Sequence, residues 1–194
     1  DGPGDAAVVR PKLDSRAGVA LGCGLQPGMS EKDGGDSYWA ALAAIDEAVR
    51  NVVCAGADPQ RIALLDNFCW PGCDDPENLG SLVRAAEACY DGALAYKAPF
   101  VSGKDSLNNE YRVGDETIAI PPTLLISALA KVQDAGRATT MDFKEAGNSI
   151  YLVGLTQAEL GGSVHFDLEH SGASGGLVPA PDLDSVPVSS FSFS

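Results

Sequence analysis

Cationic side chains are scarce in this sequence of 194 residues, in which 13 Lys and Arg accompany 27 Asp and Glu. The net charge of −14 argues against a nucleic-acid partner, because a phosphate backbone requires a basic surface. No apolar run approaches the roughly 20 residues of a membrane-spanning helix, and the first residues do not resemble a signal peptide. We therefore predict no membrane or nucleic-acid partner. A nucleotide remains possible, since backbone N–H groups, a few cations and Mg²⁺ can hold one.

Histidine is also rare, and the cysteines lack a metal-binding pattern. The two histidines, His165 and His170, lie far from the cysteines and no C-x-x-C pair occurs, which gives a zinc site little support. The number of cysteines is odd, which fits reduced, mostly buried thiols in a cytoplasmic protein. They are Cys23, Cys54, Cys69, Cys73 and Cys89.

Hydrophobic periodicity predicts an α/β layered fold, a β-sheet of about four main strands covered by two long helices on one face. The helices are expected over 37–56, begun by Asp36 or Ser37 and ended by Gly56, and over 77–98, ended by Pro99. Strands are expected over 6–11, 18–25, 61–70, 100–103, 117–132 and 148–155. Pro121 and Pro122 indicate an edge or a bend at the start of the fifth strand.

The composition changes along the chain and predicts three parts. Residues 1–145 are expected to form the α/β domain, and residues 146–183 the start of a second domain that is cut short. The chain finishes with a stretch that is rich in Pro and Ser and has no hydrophobic periodicity, and its last part, residues 184–194, is predicted to be a disordered tail. The N-terminal residues read like the middle of a longer protein.

Two polar residues on the first helix have the spacing of a metal site. Glu47 and Asn51 are four residues apart, which places their oxygens on one helix face, and a carboxylate with an amide suits a hard cation such as Mg²⁺. An ordinary solvated helix face has the same pattern, so both interpretations stay open. Asp5, after Gly-Pro-Gly and before a strand, would by itself be a turn residue.

The stretch "SGKDS" follows an apolar strand and is either a solvated turn or a phosphate and metal site. Gly103 allows close backbone approach, Lys104 supplies a point charge, Ser106 supplies a hydroxyl, and Asp105 could hold a metal-bound water. Neither the P-loop pattern nor the dinucleotide-binding glycine pattern is present. Asp66 is expected at the carboxyl end of another strand, where ligands gather in open α/β sheets, although a helix-capping or turn role is an alternative.

Three blocks in the same order resemble phosphoribosylformylglycinamidine synthase: "AIDEAVRNVVCAGADPQRIALLDNFCWP", "APFVSGKDSLNNEY" and "IPPTLLISALAKV". The resemblance is to the synthetase portion, subunit II, over nearly residues 1–176. It implies the N-terminal-domain fold of the aminoimidazole ribonucleotide synthetase superfamily, here the first α/β domain of the second of two homologous halves. The implied activity is an ATP-dependent ligase step of purine biosynthesis, which turns an amide into an amidine with ammonia from glutamine by way of a phosphorylated intermediate.

The resemblance also implies roles for single residues. Asp66, Gly103 and Lys104 would contact ATP, although Lys104 stands where the family has a metal-binding asparagine, and Ser106 would contact the substrate phosphate. Mg²⁺ would be bound by Asp5, Glu47 and Asn51. No catalytic residue is assigned, because the family's catalytic histidine lies in the other half.

The implied partners are the first half of the synthetase and a glutaminase subunit or domain. The fragment alone is expected to be inactive and to form a homodimer through an unpaired, apolar sheet edge, at which the hydrophobic strands over 61–68 and 123–132 are expected. Two alternatives stay open: a structural half-domain with only an auxiliary nucleotide site, and a related synthetase or kinase of the superfamily.

Overall fold

The computed structural model describes residues 4–30, 35–170 and 177–184, which build a five-stranded sheet covered by two long helices. The helices are α1 (Ser37–Cys54), α2 (Pro76–Tyr96) and the short α3 (Val164–Glu169). The strands are β1 (Ala6–Val9), β2 (Gly18–Leu25), β3 (Ile62–Cys69), β4 (Phe100–Ser106), β5 (Glu110–Val113), β6 (Glu116–Ala119) and β7 (Thr123–Val132). The predicted α/β layered fold is confirmed.

The sheet is mixed and has the strand order β1-β2-β7-β3-β4. β3 and β4 are parallel, joined through α2, whereas the pairs β1–β2, β2–β7 and β7–β3 are antiparallel. β5 and β6 form a separate hairpin. The single strand expected over 117–132 is therefore two strands, because Pro121 and Pro122 lack the N–H groups that a continuous ladder needs.

Helix α1 lies directly on one face of the sheet. Its N-cap is Asp36, whose carboxylate accepts a hydrogen bond of 2.8 Å from the backbone N–H of Tyr38. The close approach to β2 requires glycine: a Cβ built on Gly24 would lie 2.9 Å from the backbone nitrogen of Ala48. Gly56, at φ 99°, follows the end of the helix, so the predicted start and end are both confirmed.

Helix α2 packs beside α1 through small residues. Ala85, Ala88 and Gly92 are buried, and a Cβ on Gly92 would lie 2.8 Å from Cδ1 of Ile45. Near the end of α2, the buried Tyr96 donates a short hydrogen bond to Asp46 on α1. These contacts fix the position of α2 against α1.

The core lies between the sheet and the helices, and the other face of the sheet is open. Alternate residues of β3 and β7, such as Leu64, Ile126 and Ala128, are buried under the helices. Their neighbours in sequence point away from the helices, and this open face includes large apolar side chains that are exposed. They are Val9 at 47%, Leu21 at 41%, Leu25 at 44% and Leu129 at 40%.

Two expectations about apolar segments are wrong. Residues 148–155 do not form a strand, and their side chains, including Ile150, Tyr151 and Leu152, are exposed, because no described strand lies beside this segment to pair with it. The hydrophobic strands expected at an open edge, β3 and β7, lie inside the sheet, and the edge strands are β1 and β4. The exposed apolar surface of the sheet is therefore mainly a face.

The remaining organisation of the chain stays a prediction. No sheet is described beyond residue 145 that would mark the predicted domain boundary there. The disordered tail predicted beyond Asp184 lies outside the described residues. Among the residues that the structure describes, no helix has the length and apolar character needed to cross a membrane.

Candidate functional site

Asp66 and Gly103 lie side by side on the neighbouring parallel strands β3 and β4. The carboxylate of Asp66 lies over Gly103, because a Cβ built there would be only 2.7 Å from Asp66 Oδ2 and 2.8 Å from Cγ. The Asp66 carboxylate thus occupies the space that a Cβ at residue 103 would fill, and a larger residue there would have to displace it. Asp66 is not at the strand end, however, since β3 continues to Cys69 and β4 continues to Ser106.

Asp66 is held in a partly buried, electronegative environment. Burial raises its pKa above the ordinary value, and the nearby carboxylate of Asp105 raises it further. The backbone N–H of Lys104 donates to the Asp66 carboxylate and opposes this shift. Burial also raises the pKa of the Cys89 thiol on α2 to about 12, with a smaller contribution from Asp66. Asp66 therefore lies on the helix-covered face of the sheet, close to α2.

The other two residues predicted at this strand lie on the opposite face. Strand side chains alternate, so Gly103 and Asp105 share the face of Asp66, whereas Lys104 and Ser106 share the open face. There the ammonium of Lys104 forms a short hydrogen bond with the hydroxyl of Ser106. The structure thus separates the four predicted ligand-binding residues into two pairs, one on each side of the sheet.

Glu47 and Asn51 both contact the last residues of β2. Glu47 Oε2 accepts hydrogen bonds of 2.9 Å from the backbone N–H of Leu25 and from Nε2 of Gln26. Asn51 Nδ2 donates a bond of 3.0 Å to the carbonyl of Cys23. β1 pairs with β2 only as far as Gly22. Glu47 and Asn51 therefore bond to the backbone N–H of Leu25 and the carbonyl of Cys23, which β1 does not reach.

These bonds leave one oxygen of each side chain for another ligand. No hydrogen bond occupies Glu47 Oε1 or Asn51 Oδ1 among the described residues. Asp5 directly precedes β1, whose Ala6 pairs with Gly22, and a Cβ built on Gly22 would lie 3.1 Å from Cβ of Asn51. Asp5 is therefore at the end of β1 that lies beside Asn51, and carboxylate and amide oxygens are ligand types that Mg²⁺ prefers.

The remaining metal-binding side chains are dispersed. Within 4–30, 35–170 and 177–184, no three or more His, Cys, Asp or Glu side chains are grouped as a metal site. All five cysteines are free. The expectation that they are mostly buried is wrong, because Cys54 is the last residue of α1, Cys23 lies on the open face of β2, and both are exposed.

A cavity of about 740 Å³ lies at the end of the sheet where β2 and β3 finish and where α1 and α2 begin. It is lined by Ser37 and Arg84 of the two helices, by Asp75, and by the segment 119–122 before β7. None of the residues predicted to bind nucleotide, substrate or metal lines it. The polar residues that line it come from distant parts of the chain. Only Asp36 and Asp75 have a local sequence signal, because each precedes a helix and caps its N-terminus.

Residues 3–132 match the family described as AIR synthase related protein, N-terminal domain. The chain is also similar to phosphoribosylformylglycinamidine synthase subunit PurL of Cutibacterium acnes, with 33% identity over 182 residues, which cover 94% of this chain and 23% of the relative. For PurL of Thermococcus sibiricus the identity is 36% over 180 residues, covering 93% and 23%. The chain thus spans about a quarter of the length of these curated relatives.

Solved structures have the same fold. The PurLQS structure from Thermotoga maritima matches with a TM-score of 0.57 and 26% identity, covering 71% of this chain and 21% of that chain. T. maritima PurL complexed with ATP matches with a TM-score of 0.53 and 28% identity, covering 69% and 21%. The match to the family model includes both long helices and the whole five-stranded sheet. The chain therefore belongs to the AIR synthase related protein family and contains its N-terminal domain.

Proposed function

We propose that the chain is part of an ATP-dependent phosphoribosylformylglycinamidine synthase of purine biosynthesis, a ligase that forms a C–N bond. The similarity to PurL subunits over nearly the whole chain supports this assignment. The observation that carries the nucleotide site is the placement of the Asp66 carboxylate directly over Gly103. In this reaction ATP phosphorylates the amide oxygen, and ammonia, produced from glutamine by a separate glutaminase, then displaces phosphate.

Asp66 and Gly103 form the part of the site expected to contact ATP. Gly103 is exposed, and the adjacent N–H of Lys104 orients the Asp66 carboxylate that lies over it. The pair of Lys104 and Ser106 on the open face supplies a cation and a hydroxyl, which suit a phosphate. We assign this second pair to the substrate phosphate.

Nucleotide binding is tested by isothermal titration calorimetry of the chain with ATP and Mg²⁺. Gly103→Ala should weaken ATP binding at least tenfold, because the added Cβ collides with the Asp66 carboxylate and displaces it. Gly80→Ala is the matched control, since nothing lies within 4 Å of a Cβ built on Gly80. Equal affinity of the two variants would contradict a nucleotide site at Gly103.

Asp5, Glu47 and Asn51 would hold Mg²⁺ through oxygens that the fold leaves free, and the ion would offset phosphate charge when bound. Glu47→Gln keeps an oxygen that can accept from Leu25 but removes the negative charge. We expect it to reduce Mn²⁺ binding, measured by electron paramagnetic resonance, by at least tenfold. Glu145→Gln, at an exposed position outside the described helices and strands, should bind Mn²⁺ like the unchanged chain, and equal loss in both variants would refute the site.

The complete reaction needs more of the synthetase than this chain spans. The chain matches 19–24% of the length of PurL relatives, and effective catalysis requires all reacting groups in one geometry. We expect no conversion of the amide substrate by the chain with ATP and ammonia. Turnover by this chain alone would refute this expectation, whereas ATP binding without turnover is the expected result.

The first half of the synthetase and a glutaminase are the proposed partners in an intact enzyme. For this chain alone we propose a homodimer, and the open face with Leu21, Leu25 and Leu129 supports it better than a sheet edge does. Exposed apolar residues on one sheet face favour association with a second copy. The five free cysteines support a reducing, cytoplasmic location.

Sedimentation equilibrium tests the dimer. Leu129→Gln should lower the fraction of dimer, because it places a polar group at the centre of the open face. Leu94→Gln is the control, as Leu94 is an exposed leucine on α2. A mass of 20.0 kDa for the unchanged chain at high concentration would show that the face does not associate.

A further inference from the structure

The cavity at the N-termini of α1 and α2 has the features of a ligand site, independently of the nucleotide and metal sites proposed above. Its volume of about 740 Å³ is in the range of small-molecule pockets. It contains none of the residues assigned to ATP, Mg²⁺ or the substrate phosphate. Its polar groups come from both helices, and Ile120, Pro121 and Pro122 form an apolar wall.

Ser37 is the side chain that indicates a missing partner. It is only 5% exposed, and its hydroxyl forms no hydrogen bond among the described residues. Every fully buried side-chain nitrogen or oxygen in the described part of the chain has a partner, so the Ser37 oxygen must reach open space. Ser37 lines the cavity, and the cavity is therefore where a partner for this hydroxyl would lie.

The α1 side of the cavity mainly offers hydrogen-bond donors. The first turn of a helix leaves backbone N–H groups without an intrahelical acceptor, and among these the N–H of Ser37 belongs to a residue that lines the cavity. Asp36 does not compete for a ligand, because its two oxygens accept from the N–H of Tyr38 and from Arg84. Burial alone would raise the pKa of Asp36, but the bonds from Arg84 and Tyr38 lower it below its ordinary value.

The α2 side mainly offers acceptors. Asp75 Oδ1 caps α2 by accepting from the N–H of Glu77, which leaves Oδ2 without a bond among the described residues. Asn78 Nδ2 donates to the carbonyl of Gly72, which leaves its Oδ1 facing no donor. A ligand that crosses the cavity would therefore accept hydrogen bonds on the α1 side and donate them on the α2 side.

We propose that this cavity binds an uncharged, hydroxyl-rich ring, with a pentose as the model ligand. Hydroxyl groups both donate and accept, so one molecule satisfies Ser37 and Asp75 together. The apolar wall can pack against a ring face. An anion is disfavoured by the Asp75 carboxylate, because the lining cation Arg84 is already paired with Asp36, and a bare metal ion lacks a grouped set of ligands among the described residues.

The test is a titration of the ¹⁵N-labelled chain with D-ribose, followed through the amide signals of Ser37 and Trp39. We expect saturable shifts of both signals. Ser37→Ala should weaken binding about three- to tenfold, the effect of one hydrogen bond. Ser149→Ala is the matched control, because Ser149 is exposed and outside the cavity, and it should leave the affinity unchanged.

A second variant and two charged probes separate the ligand classes. Asp75→Asn keeps a capping residue but removes its charge, so ribose affinity should change less than threefold. Inorganic phosphate and methylammonium should bind more weakly than ribose at these signals. Absence of saturable ribose shifts, an unchanged affinity of Ser37→Ala, or tighter binding of either charged probe would each overturn the proposal.

Discussion

The close packing of α1 against β2 depends on Gly24, and the substitution Gly24→Ala tests this directly. The added Cβ would lie 2.9 Å from the backbone carbon of Ala44 and from the backbone nitrogen of Ala48, and still closer to the Ala44 carbonyl oxygen. Ordinary contacts between heavy atoms are about 3.5–4.0 Å. Because all three neighbours are backbone atoms, no side-chain rotation relieves the collision, and α1 must move away from the sheet by roughly 0.5–1 Å.

Such a gap is costly because α1 contributes ten buried residues to the interior. A radial gap of about 0.5–1 Å already loses a quarter to a half of the dispersion attraction across it. Overpacking typically costs about 1–3 kcal/mol, and we expect the upper end, about 3 kcal/mol or more, since the helix moves as a unit. For a chain of this length that corresponds to a decrease in Tm of about 6–12 °C.

Urea unfolding followed by circular dichroism measures this loss, with two other glycines as references. Gly22→Ala meets side-chain atoms of Asn51 and Val52 at 3.1 Å, so a loss of about 1 kcal/mol is expected. Gly80→Ala meets nothing within 4 Å and lies inside α2, so a gain of about 0.5–1 kcal/mol is expected. If Gly24→Ala were no less stable than Gly22→Ala, the close seating of α1 would be wrong.

Three further predictions concern side chains that are buried or partly buried. Tyr96→Phe should reduce the free energy of unfolding by about 1.5–3 kcal/mol, measured by urea unfolding, because Asp46 loses a charged hydrogen bond; an unchanged midpoint would contradict it. Asp66 has a pKa raised in the folded state, so its carboxyl stabilises the fold at low pH and loses this effect as pH rises through that pKa. Asp66→Asn should therefore raise Tm at pH 7 more than at pH 3, and the reverse order would refute it. Cys89, with a pKa of about 12, should react with iodoacetamide far more slowly than the exposed Cys54, as mass spectrometry of the folded chain can show.

Local signals in the sequence determined the two long helices and their ends. The 3.6-residue period of apolar residues in α1, the capping Asp36 and the terminal Gly56 act within a few residues of each other, so they can be recognised without knowing the fold. The glycine at position 103 is also a local signal, and in the structure the Asp66 carboxylate lies where its Cβ would be.

Strand pairing could not be predicted in the same way. A hydrophobic run indicates burial but not position within the sheet, so β3 and β7 were expected at an edge although they lie inside it. The segment 148–155 has the composition of a buried strand, but no described strand pairs with it. A strand exists only where a second strand supplies its hydrogen bonds, and that partner comes from elsewhere in the chain or from another chain.

The sequence by itself determined which residue types are available for binding: a carboxylate at Asp66, a glycine at 103, and an E-x-x-x-N pair on one helix. Only the tertiary structure decided how they are grouped. Strand alternation places Lys104 and Ser106 on the opposite face from Asp66. Because β1 is short, it leaves backbone groups near the end of β2 unpaired, and Glu47 and Asn51 bond to them. The cavity around Ser37 exists only because two helices begin at the same end of the sheet, and such convergence of distant segments leaves no pattern in the linear sequence.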